Sequence, residues 1–148
     1  MQKKLIIFDF DGTLADIEPI LLKVYAVVAE RYKLPAITEE ELPALRSIGA
    51  KEFITDRLKI PFWKMPFVLR STMAEYKKYR SEIEVFPGAK ECIESLKQVG
   101  VRVGVLSSND VKNIQEILNR TEMQVDFIQH SSLFGKAQSL TRILKEEG

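Results

Sequence analysis

The stretch Lys3-Lys4-Leu5-Ile6-Ile7-Phe8-Asp9-Phe10-Asp11-Gly12-Thr13-Leu14 decides the fold. Residues 3 to 9 form a short, nearly continuous apolar run that ends on an acid. Such a run, with no polar alternation, reads as a strand buried on both faces of a parallel sheet, with Asp9 delivered at its carboxyl end. Gly12 breaks the strand. From Ile17 the period changes, because Ile20, Val24, Val27 and Val28 recur at helical spacing and Pro19 is tolerated in a first turn.

Further along, residues 38 to 80 carry only helical signals. Thr38-Glu39-Glu40-Glu41 is a capping-box pattern, and Pro61 and Pro66 punctuate the later part of this region. After Glu82, Pro87-Gly88 leads an amphipathic helix that Gly100 closes. Val101 to Leu106 is expected to be a second buried strand. Ser107-Ser108-Asn109-Asp110 then forms a turn and helix cap, Val125 to Ile128 a third strand, and the last helix begins near Lys136. Strand, helical insertion, strand, helix, strand, helix is the order of an α/β domain with a helical cap placed after its first strand.

Composition sets limits on function. The chain has 148 residues, 45% of them hydrophobic, with 22 Lys and Arg against 21 Asp and Glu. That is a globular balance with no net field to attract nucleic acid or an anionic membrane, so affinity for phosphate must come from a local site. No apolar stretch approaches the roughly 20 residues of a spanning helix, and the N-terminal run is too short for a signal peptide, so a cytoplasmic location is expected. The single cysteine, Cys92, shares a helical face with Ala89, Ile93 and Leu96 and is expected to pack in the core.

The chemistry is concentrated in Asp9-Phe10-Asp11. Two carboxylates separated by one residue past a strand end present one group for attack and another for proton transfer. A carboxylate that attacks phosphorus splits a difficult hydrolysis into two steps, and the anionic substrate calls for a hard cation with oxygen ligands, which Mg2+ supplies. A calcium loop would require a glutamate at the twelfth position, where Ile20 stands.

Asp-x-Asp-Gly-Thr-Leu after an apolar strand resembles the first signature of the haloacid dehalogenase superfamily, without substitution. The resemblance implies a Rossmann-like parallel sheet core with a small α-helical cap, like that of the phosphoglycolate-phosphatase and β-phosphoglucomutase branch. The expected boundaries are 1–15 with 83–148 for the core and 16–82 for the cap. It implies Asp9 as nucleophile and Asp11 as acid and base, both at the metal, and Thr13, Ser107, Ser108 and Lys136 around the phosphoryl group. Asp16 is expected to be a helix cap or to support the site. Arg46 and Lys51, in Arg46-Ser47-Ile48-Gly49-Ala50-Lys51, resemble a loop that contacts a distal anionic group. His130, expected in a loop before Lys136, is given no role.

The expected substrate is a small phosphorylated metabolite, hydrolysed with Mg2+ through an aspartyl-phosphate. A phosphomutase is the related alternative, and a non-catalytic phosphate-binding protein the alternative from another class. The family continues with a fourth strand carrying a further metal carboxylate, whereas this sequence stops at Gly148. A shortened chain with low activity, and self-association through an open edge at Leu5–Phe8, are therefore expected.

Overall fold

A computed structural model describes residues 4–45, 48, 52–132 and 135–147. In chain order the elements are β1 (Leu5–Phe8), β2 (Ala15–Asp16), α1 (Glu18–Tyr32), α2 (Leu42–Leu45), α3 (Met65–Tyr79), β3 (Glu84–Val85), α4 (Ala89–Gln98), β4 (Arg102–Ser107), α5 (Val111–Arg120), β5 (Phe127–His130) and α6 (Lys136–Glu147). The chain divides into two compact units, Met1–Glu18 with Ser81–Gly148, and Pro19–Arg80.

The first unit is built on a parallel sheet of order β1-β4-β5. Leu5 to Phe8 pair with Arg102 to Val105, and Gly104 to Ser107 pair with Phe127 to His130. The central strand is the most buried because a strand pairs with it on either side, and Val103 and Val105 are fully buried. Gly104 faces Phe127 in the register, and a Cβ there would overlap the Phe127 ring, so the missing side chain makes room for it. Helix α4 ends in a Schellman arrangement. Gly100, at φ +76, donates to the Lys97 carbonyl, and Val101 donates to that of Leu96. Asp110 caps α5 by accepting the Lys112 N–H at 2.8 Å.

Five local expectations are corrected. Leu5–Phe8 is not buried on both faces: its residues are half-buried and Ile6 is exposed, because β1 is an outer strand in the order β1-β4-β5. The third strand begins at Phe127 instead of Val125, because the Asp126 carboxylate takes the Val103 N–H at 2.7 Å and substitutes for one rung of backbone pairing. His130 consequently ends β5, opposite Ser107, instead of lying in the loop beyond. Cys92 is exposed, because the ten-residue helix α4 buries only Ala89 and Ile93, and Cys92 falls beside that narrow stripe. Asp16 is no helix cap. It pairs with Glu84 in an antiparallel two-strand ribbon, two positions before α1 begins.

In the second unit, α1 buries Ile20, Val24, Val28 and Ala29, at the spacing of one helical face. Helix α3 buries Val68, Ser71 and Glu75. Arg31 ties the two helices, donating to Ser71 Oγ at 2.5 Å and Glu75 Oε1 at 3.1 Å. Lys78 reaches both Glu75 oxygens at 2.9 Å, and its hydrogen bond is the main cause that holds this carboxyl below the usual range. The Thr38 capping pattern closes as expected, with Thr38 N–H donating to Glu41 Oε2 at 3.0 Å, although the helix it opens is a single 3-10 turn.

Candidate active site

The site forms where β1 and β4 end side by side, since parallel pairing brings the carboxyl ends of both strands to one edge. Past Phe8 the chain turns tightly. The carbonyl of Phe10 accepts N–H groups from Thr13, Leu14 and Ala15, while Gly12, at φ +77, donates to the Ala15 carbonyl at 2.9 Å. Phe10 is fully buried, which anchors the turn and leaves the acids on either side of it turned to other partners.

Those partners differ for the two acids. Asp9 Oδ1 accepts the Phe10 N–H at 2.8 Å, and Asp9 Oδ2 lies 2.7 Å from Lys136 Nζ. Both side chains of that ion pair are less than half exposed, at 42% and 44%, so solvent still reaches it. Asp11 is more enclosed. Asn109 Nδ2 donates to its Oδ1 at 3.1 Å and the Ser107 hydroxyl to its Oδ2 at 3.4 Å. Burial raises the Asp11 carboxyl above the ordinary carboxylate range. The Asn109 hydrogen bond opposes this rise, the nearby negative charge of Asp9 adds to it, and Ser107 and Lys136 oppose it.

Ser107 is almost fully buried, and its Oγ also accepts the Asn109 N–H at 3.1 Å. Ser108 is half-buried in the bend just after β4. Thr13 is exposed, and its N–H is spent on the Phe10 carbonyl. Direct contacts thus join Asp9 to Lys136 and Asp11 to Ser107, the charges of Asp9 and Lys136 both act on Asp11, and Ser108 and Thr13 lie on the flanking turns. Arg46 and Lys51 lie outside the described residues.

The sequence marks Asn109 only as part of a turn, yet it touches both Asp11 and Ser107. Its signal is position, an amide two residues past a strand whose end faces two acids. His130 touches this network as well, with Nδ1 3.2 Å from the Asn109 carbonyl. Among the described residues no cluster of three or more Asp, Glu, His or Cys side chains suits a metal, so the local carboxylates are the pair at 9 and 11. No helix among the described residues is long and apolar enough to cross a membrane.

Residues 6–146 match the haloacid dehalogenase-like hydrolase family. The chain belongs to that family. It is 28% identical over 141 residues to phosphoglycolate phosphatase of Synechococcus elongatus, covering 95% of this chain and 63% of that protein. It is 35% identical over 109 residues to phosphoserine phosphatase of Archaeoglobus fulgidus, covering 72% of this chain and 28% of that protein. The chain therefore spans less than two thirds of the length of these curated relatives. A haloacid dehalogenase-like protein of Streptococcus pneumoniae superposes with a TM-score of 0.79 at 19% identity, covering 97% of this chain and 70% of that one, which establishes the Rossmann-like α/β fold.

Proposed function

We propose that this chain carries the machinery of a Mg2+-dependent phosphatase acting on small phosphomonoesters through an aspartyl-phosphate on Asp9. The observation that carries the reading is the contact of Asp9 with Lys136 at 2.7 Å, beside an Asp11 held by Asn109 and Ser107. A carboxylate poised against an ammonium group, next to a carboxylic acid of raised pKa, divides the labour of phosphoryl transfer between two groups of one residue type.

In this reaction an Asp9 oxygen forms a bond to phosphorus as the bond from phosphorus to the ester oxygen breaks. Asp11 gives its proton to that leaving oxygen. It then takes a proton from water, whose oxygen attacks the phosphorus and frees Asp9 and phosphate. Lys136 balances charge on the transferring group, and the hydroxyl of Ser107, with the N–H of Ser108 and the hydroxyl of Thr13 nearby, binds its oxygens. The Asp9 carboxylate and the main-chain oxygen of Asp11 fit Mg2+, which binds through few protein ligands and keeps several waters. When bound, that ion offsets the repulsion between the substrate dianion and the two acids.

The helical segment 16–82 is assigned to substrate choice, with Arg46 and Lys51 as anion-binding side chains. If replacing both by Ala leaves KM unaltered for every ester cleaved, that assignment is rejected. A cytoplasmic location suits small phosphorylated metabolites and belongs to the same reading.

The test is phosphate release from 2-phosphoglycolate, phosphoserine, sugar phosphates and an aryl phosphate, with Mg2+ or with chelator. The reading predicts Mg2+-dependent release that Asp9→Asn abolishes, and a beryllofluoride adduct on Asp9. An adduct on another residue, or turnover that survives Asp9→Asn, overturns it.

A further inference from the structure

The second unit carries an unusual surface. Between Arg57 and Arg80 there are seven Lys and Arg residues and one carboxylate, Glu75, in a chain whose totals are 22 and 21. That single acid is buried and paired with Arg31 and Lys78, and Arg57 is paired with Glu41, which leaves Lys59, Lys64, Arg70 and Lys77 as cations without a carboxylate partner among the described residues.

Apolar groups are exposed in the same segment. Phe62 is 93% exposed, Trp63 68%, Phe67 62% and Met73 61%. Phe62 and Trp63 lie on the 3-10 turn Phe62–Lys64 that leads into α3, and Lys64 Nζ lies 5.1 Å from the Trp63 ring centroid. On α3 the buried positions Val68, Ser71 and Glu75 define the inner face. Helical spacing then puts Leu69, Arg70, Met73 and Lys77 outward, and all four are exposed. The outcome is an aromatic corner beside Lys64 and an apolar helix face that also carries Arg70 and Lys77.

We propose that this face is a docking surface for an anionic phospholipid bilayer. Phe62, Trp63 and Phe67 enter the region between headgroups and acyl chains, while Lys64, Arg70 and Lys77 meet lipid phosphates and carboxylates. A second copy of the chain is the poorer fit, because a two-fold contact would set the cations of this face against the same cations of its mate. A nucleic acid supplies anions and rings for stacking, but no hydrocarbon for Leu69 and Met73. The proposal is independent of the phosphatase reading.

Trp63 is the sole tryptophan, so its emission reports on this face alone. The full chain is titrated with phosphatidylcholine vesicles, with vesicles of phosphatidylcholine and phosphatidylserine, and with duplex DNA, in low and high salt. The expected result is a blue shift on phosphatidylserine vesicles, quenching by brominated acyl chains, and loss of binding in high salt. Phe62→Ser, and separately the pair Arg70→Glu and Lys77→Glu, should each weaken partitioning at least about tenfold with unchanged far-UV circular dichroism. Because Phe62 is almost wholly exposed, its replacement tests binding without disturbing packing. No shift on phosphatidylserine vesicles overturns the proposal. So does an equal shift on pure phosphatidylcholine, a shift with protein concentration alone, or a shift on DNA but not on lipid.

Discussion

The side-chain amide of Asn109 donates to Oδ1 of Asp11 across 3.1 Å, linking the loop after the second core strand to the turn after the first. A neutral donor suits this position. It fixes the carboxyl while stabilising the charged form only enough to oppose, and not reverse, the effect of burial. Asn109→Ala should move the Asp11 pKa further upward. The alkaline limb of a kcat/KM profile should then shift to higher pH, with kcat falling by at most about 100-fold. A limb that moves toward acid would contradict the assignment.

Asp11 should also leave a mark on stability. Its folded pKa lies above the unfolded value of 3.8, so the folded chain binds that proton more tightly. The stabilising contribution is complete below pH 3.8 and disappears as pH rises through the folded pKa. At neutral pH the buried charge is a burden that Asp11→Asn removes. Melting without divalent cations should therefore show the variant more stable at pH 7, with the advantage vanishing in acid.

Lys136 pairs with Asp9 in the resting site and is assigned to the phosphoryl group during transfer. Lys136→Ala should lower kcat by about 100- to 1,000-fold. Lys136→Arg keeps the charge but spreads it over a planar fork, so recovery should be partial. Equal activity of Lys136→Ala and the parent would remove Lys136 from the mechanism.

Gly12 offers a stability test of the turn that follows β1. Its φ of +77 lies in the left-handed region, and nothing lies within 4 Å of a Cβ built there. The cost of Gly12→Ala is accordingly one of backbone conformation, about 1–2 kcal/mol, measurable by urea unfolding. A variant as stable as the parent would show that the turn adopts another conformation.

The sequence is most informative where one physical signal rules. Leu5–Phe8 is an unbroken apolar run with Asp9 and Asp11 following it, so the strand end and its acids are legible, although Ile6 is exposed and none of the four strand residues is buried. Lys136 is placed by its position after the third strand. The ribbon of Ala15–Asp16 with Glu84–Val85 leaves no pattern, because two residues cannot display a period and the partners are far apart in sequence. Cys92 misleads because four residues at helical spacing look like one face, while so short a helix buries less than that. Asn109 is hidden by its residue type, since asparagine after a strand is ordinary turn material until tertiary contacts give it a second task.

That ribbon has a consequence for how much change the chain tolerates. Ala15 sits across from Val85, and Phe86 N–H donates to the Leu14 carbonyl, so the chain departs from the core and returns to it at adjoining points. A detour whose two ends are stitched together can be lengthened, trimmed or exchanged like a cartridge, while the pairing of Leu5–Phe8 with Arg102–Val105 stays untouched. Changes within the detour therefore leave the position of Asp9 at the end of β1 unaltered.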